Sequence, residues 1–125
     1  MKKVILALVI LAIIITAGIL ENVYVDKVFD GLNERLYELQ ALIEEENDAA
    51  TSKVRELGSW WEKKRGYLEL FTYSTDLRAF SVALGETEGS LDCGDYQNSL
   101  SKVRSLLVMS DNIHKILDFN LIDII

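Results

Sequence analysis

The chain contains no proline, one cysteine, one histidine and seven glycines in 125 residues. Each scarcity excludes something. A single thiol, Cys93, forms no internal disulfide and completes no four-ligand Cys/His zinc site. A lone His114 gives a Ser–His–Asp or Cys–His arrangement a poor start, and Cys93 lies 21 residues before it in a segment read as a loop. Without proline nothing forces a helix to stop, which suits long rods. Positive charge is scarce too. All 20 acidic residues follow Leu20, whereas Lys2 and Lys3 precede it, so eleven basic and 20 acidic side chains leave the remainder at −9 with His neutral. Such a domain is repelled by nucleic acid, whose binding is led by Lys and Arg on phosphates, and by anionic headgroups, so it is expected to stand off the membrane surface.

What the chain does have is one long apolar run. From Val4 to Leu20 there are 17 uncharged residues, with only Thr16 and Gly18 among the large aliphatics. As a helix this gives about 26 Å at ~1.5 Å per residue, close to the ~30 Å of a bilayer core. A signal peptide shares the basic start, and Thr16 and Gly18 form a weak small-residue site for a cut near residue 18, which would release a secreted helical protein. The run is longer than a signal core, however, and Ile19 and Leu20 continue it past that site. Residues 1–3 are therefore read as a cytoplasmic N-terminus, 4–20 as a transmembrane signal anchor and 21–125 as an extracytoplasmic domain, oriented by the positive-inside bias.

Beyond the span, Val25, Phe29, Leu32, Leu36, Leu39 and Ile43 recur at spacings of four and three, a heptad-type stripe. Nothing between Leu20 and Val25 breaks a helix, so the span is expected to run into this segment as one rod ending at Glu44–Asp48. A second helix starts near Asp48 with Val54, Leu57, Trp61 and Leu68 on one seam; Leu70, Tyr73, Leu77, Phe80 and Leu84 continue it after a rotation, with a bend expected past Gly66. GETEGSLDCGD (85–95), with three glycines and four acidic residues, reads as a loop. A third helix carries Tyr96, Leu100, Val103, Leu107, Ile113, Ile116 and Leu117 toward the tail NLIDII. The expected fold is all-α: a transmembrane helix continuing into an antiparallel three-helix bundle. In that arrangement the second helix is longer than the first, and the acidic loop returns near the membrane.

Chemistry-bearing residues are few. Glu86, Glu88, Asp92 and Asp95 could offer oxygens to a hard cation, but their spacing fits no recognised loop, and solvated carboxylates are the plainer reading. Trp60 and Trp61 mark a possible interaction surface. Trp61 falls on the apolar seam, and Trp60 beside it could pack at the seam's edge or meet a partner. No phosphate loop, metalloprotease motif or nucleophile elbow occurs, so no catalytic, cofactor-binding or metal residue is assigned and the chain is read as a non-enzyme. An enzyme would require groups such as Glu69 and Asp76 poised as acid and base. A small extracytoplasmic sensor, binding a ligand near Tyr67, Phe71 and Tyr73, is the alternative, though only Met1 to Lys3 precede the span to carry an output. The stripe of helix one could also zip with a second copy as a homodimer.

The lysine-flanked span, the pair Glu21–Asn22, the tryptophan midway along helix two and NIHKI (112–116) together resemble a family of short clostridial and bacillar single-span membrane proteins known only as a domain of unknown function. Some members are encoded beside YetF-type membrane proteins. The resemblance implies a single-pass bacterial protein with a membrane-protein partner, and it transfers no functional residue.

Overall fold

The computed structural model describes the backbone of residues 1–70 and 74–124, and the side chains of these except at 74 and 118–124. Four helices follow one another: α1 (Lys2–Glu44), α2 (Ala49–Leu68), α3 (Ser74–Asp92) and α4 (Tyr96–Ile124). Among the described residues no strand is present. The all-α expectation holds, and so does the unbroken passage from apolar span to bundle, because α1 is one helix of 43 residues.

The second rod is the element that differs. The bend expected past Gly66 is a full break, with α2 ending at Leu68 and α3 beginning at Ser74, so the head has four helical sides instead of three. Each helix packs on two neighbours in an up-down-up-down ring: α1 on α2 and α4, α3 on α2 and α4. The break also removes the length mismatch, since α2 and α3 have 20 and 19 residues, about 30 Å each. Adding one reversal moves the acidic segment to the opposite end. Instead of returning toward the span, residues 85–95 stand beside the α1–α2 turn, where the Tyr96 hydroxyl donates to Asp48 Oδ1 at 3.4 Å. Most of the predicted loop is helical as well: α3 continues through Gly85 and Gly89 to Asp92, and the turn is only Cys93–Asp95.

Both turns at this distal end use the same device. After α1 the Asn47 amide donates to Leu42 O and Glu46 to Ile43 O; after α3 the Asp95 amide donates to Ser90 O and Gly94 to Leu91 O. This pairing needs a left-handed residue at the pivot. Gly94 supplies it at φ 74°, and Glu46 adopts it at φ 53° despite its side chain. Asp95 then caps α4, accepting from the Asn98 amide at 3.1 Å. At the start of α2 the carboxylate of Asp48 makes no cap bond; Asn47 Oδ1 accepts from Ala49 N instead, at 2.9 Å.

The core follows the stripes. Val25, Phe29, Leu32, Leu36, Leu39 and Ile43 of α1 are all buried, as are Val54, Leu57, Trp61 and Leu68 of α2 and Leu77, Phe80 and Leu84 of α3. The stripe of α1 is thus covered by α2 and α4 of its own chain. On α4 the buried set is Val103, Leu106, Ile113 and Leu117, with Leu107 only half-buried and Ile116 exposed. Buried hydroxyls fill the remaining positions. Ser99 donates to Asp95 O at 2.7 Å and Ser110 to Asn33 Oδ1 at 3.0 Å, and among the described residues no buried side-chain polar atom is left unpaired.

Candidate functional site

Exposure changes abruptly along α1. From Val4 to Leu20 every large aliphatic is exposed, whereas from Val25 onward the same helix carries a fully covered seam. Exposing that much aliphatic surface to water costs about 25 cal/mol per Å², and the bundle offers no partner for it. The segment is long and apolar enough to cross a membrane. Its one hydroxyl is satisfied within the helix, Thr16 Oγ1 donating to Ala12 O at 2.8 Å, as a non-aqueous setting requires.

The two tryptophans, adjacent in sequence, part company. Trp61 is wholly buried, its indole N–H donating to Ser81 Oγ at 2.9 Å and its ring 4.5 Å from that of Phe80. Ser81 in turn donates to Leu77 O, so the pair ties α2 to α3 without an orphan group. Trp60 lies across the α1–α2 seam. Its edge stands 3.4 Å from where a Cβ on Gly31 would be, and the Arg35 guanidinium covers the ring at 4.3 Å. The indole packs on α1 at Gly31, a pairing no stripe in the sequence announces.

The four carboxylates considered for a cation do not converge. Glu88 and Asp92 both bind Arg55, at 3.1 and 3.0 Å, Glu86 binds Lys102 at 3.2 Å, and Asp95 is engaged as the α4 cap. Among the described residues no three His, Cys, Asp or Glu side chains are placed to share a metal. The acidic end is a set of exposed ion pairs, each worth little individually. Tyr96 belongs to it: partial desolvation, then the Asp48 carboxylate and its hydrogen bond, and then Glu46, raise its phenol above the usual value.

Cys93 precedes α4 and His114 lies about two-thirds of the way along it, roughly 30 Å away by helix rise. Cys93 is exposed at the distal turn. The His114 imidazole stacks on Phe29, centroids 5.0 Å apart and nearly parallel, with Nε2 2.7 Å from Asp26 Oδ1. These contacts fix the membrane-proximal part of α4 against α1. Of the residues considered for a sensor pocket, Phe71 and Tyr73 lie outside the described residues, and Tyr67 is exposed, meeting Tyr24 edge-on at 6.3 Å. Burial, and next the neighbouring Tyr67, raise the Tyr24 phenol. The clefts between helices are shallow and open, and the α1–α2 groove is lined by charges of both signs, Glu34, Glu38, Glu56, Arg35 and Lys53. Compared with family models, curated proteins and solved structures, the chain matches none of them.

Proposed function

We propose that this is a single-span membrane protein whose four-helix head is a non-catalytic interaction module displayed outside the cytoplasmic membrane. The observation that carries the reading is the helix α1: bare aliphatic surface over Val4–Leu20, followed without interruption by a seam buried in a satisfied core. Among the described residues no group of three or more His, Cys, Asp or Glu side chains could hold a metal ion, and the head's role is assigned to its outer surface. Lys2 and Lys3 before the span favour an N-terminus inside and a head outside, by the positive-inside bias. The sequence resemblance favours a membrane protein as the partner.

A cysteine-reactive, membrane-impermeant maleimide applied to intact cells tests both halves. Cys93, exposed at the distal turn, is expected to be labelled without lysis, on a protein that sediments with membranes and survives carbonate washing. Labelling only after lysis, or recovery of the head in the culture medium lacking its first 18 or so residues, would overturn the reading. Capture from solubilised membranes through a C-terminal tag then identifies what travels with it.

A further inference from the structure

The lower end of α2 lies against the plane where α1 enters the apolar span, and its surface has the composition of a lipid interface. The register of α2 on α1 is fixed at three levels: Lys53 beside Glu38, Trp60 beside Gly31, and Tyr67 beside Tyr24. Tyr24 is four residues beyond Leu20, about 6 Å along the helix, and Leu70 lies in the turn just past α2, its amide donating to Tyr67 O, on the order of 4 Å nearer the span. Polar headgroups occupy roughly 6 Å on each side of the hydrocarbon core. Tyr67 therefore sits at the outer edge of that layer and Leu70 close to its floor. Both side chains are turned outward: Tyr67 is 60% exposed and Leu70 77% exposed, the highest value for a large apolar residue beyond the span among the described residues.

Charge at the two ends differs in detail. Eight carboxylates gather at the far turns, Glu44–Glu46, Asp48, Glu86, Glu88, Asp92 and Asp95, some 30 Å away, whereas the near end mixes Glu21, Asp26, Glu62, Glu69 and Asp76 with Lys63, Lys64 and Arg65. Arg65 is held by Glu62 and Glu69, but Lys63 and Lys64 line an open concavity with Trp60, Gly66, Tyr67 and Leu70. The backbone of α4 reaches the same plane, since His114 is level with Asp26 and the helix goes on to Ile124.

Resting on the anchored reading above, we propose that the foot of α2 is a second membrane contact, with Tyr67 and Leu70 seated in the headgroup layer and Lys63 and Lys64 on lipid phosphates. The head then leans on the bilayer through one side of its base. Net charge alone would have the head stand off the surface; on this proposal the exposed Lys63 and Lys64 outweigh that repulsion locally.

Full-length protein in phosphatidylcholine–phosphatidylglycerol vesicles, with Cys93→Ser as background, tests this by nitroxide accessibility. Single labels are placed at Leu70→Cys, at Val82→Cys on the exposed flank of α3, and at Ile10→Cys within the span. The expected result is a Leu70 label several-fold less accessible to a water-soluble nickel complex than the Val82 label, and reversal of that protection by Lys63→Glu with Lys64→Glu. If Ile10 is shielded while Leu70 is as nickel-accessible as Val82, the foot does not touch lipid and its apolar surface serves a protein instead. If Ile10 is itself nickel-accessible, the anchored reading fails and the foot with it.

Discussion

Replacing Gly31 by alanine sets two opposed effects against each other at the one place where α1 and α2 are joined through Trp60. Glycine in mid-helix costs about 1 kcal/mol relative to alanine, from the backbone freedom it loses on folding. Against that gain, the new Cβ would stand 3.3 Å from Arg35 Nη1 and 3.4 Å from Trp60 Cζ2. The first contact is tight, but it is with the far end of a flexible side chain, whose hydrogen bond to Gly31 O at 3.1 Å is exposed to water and is worth little. The second is ordinary van der Waals contact. The propensity term should win, and Gly31→Ala is expected to stabilise the head by about 0.5–1 kcal/mol, raising Tm by roughly 3–6 °C for a unit of about a hundred residues. Gly31→Leu has a similar propensity gain but needs the volume the indole occupies, and overpacking of about 1–3 kcal/mol should lower Tm. Far-UV circular dichroism of the full chain in detergent, melted reversibly, measures both. A Gly31→Ala protein melting more than about 4 °C below wild type would show that Trp60 and Arg35 cannot yield, and the account of that seam would be wrong.

Trp61→Ala removes a wholly buried indole between α2 and α3 and should cost about 3–5 kcal/mol in urea unfolding, a large share of a small domain's stability, whereas the exposed neighbour Tyr37→Ala should change it by less than about 0.5. At the α1–α2 turn, Glu46→Gly relieves a side chain held at φ 53°, and the gain of about 1–2 kcal/mol less the extra freedom of the unfolded chain should leave the denaturation midpoint slightly higher. The equivalent change in the opposite sense, Gly94→Ala, should lower it by about 1 kcal/mol. Folding raises the phenols of Tyr24 and Tyr96, so the folded state holds these protons more tightly than the unfolded one. Their contribution is complete below the ordinary tyrosine value near 10 and is lost as pH rises through the higher folded values; urea midpoints should fall over that window, less steeply in Tyr24→Phe and Tyr96→Phe.

The apolar periodicities of the sequence carried the core closely because each stripe is a local property of one helix. Every position of the α1 seam is buried as its spacing of four and three requires. The break between Leu68 and Ser74 was only half legible. A change of seam register past Gly66 is visible in the sequence, but neither proline nor a Gly/Asn cluster marks a stop, so a bend and a reversal read alike. The mistaken loop over 85–92 has a different cause. Gly85 and Gly89 weaken a helix by about 1 kcal/mol each in isolation, yet here α3 is fixed by Leu84 and Leu91 in the core and by Arg55 reaching across to Glu88 and Asp92. Tertiary contacts of this kind leave no trace in local composition. The same applies to the α2 foot. Leu70 looks like one more seam residue, and only the register of α2 on α1 brings it to the plane where the span begins.

In the anchored reading no joint separates the spanning turns of α1 from its bundled ones, so span and head would move as a lever. Transmembrane helices commonly tilt by about 20°, and a rigid extension of about 36 Å beyond Leu20 would swing the far turn sideways by some 12 Å at that angle. The contacts that set that tilt would thereby set how far the acidic tip reaches over its surroundings.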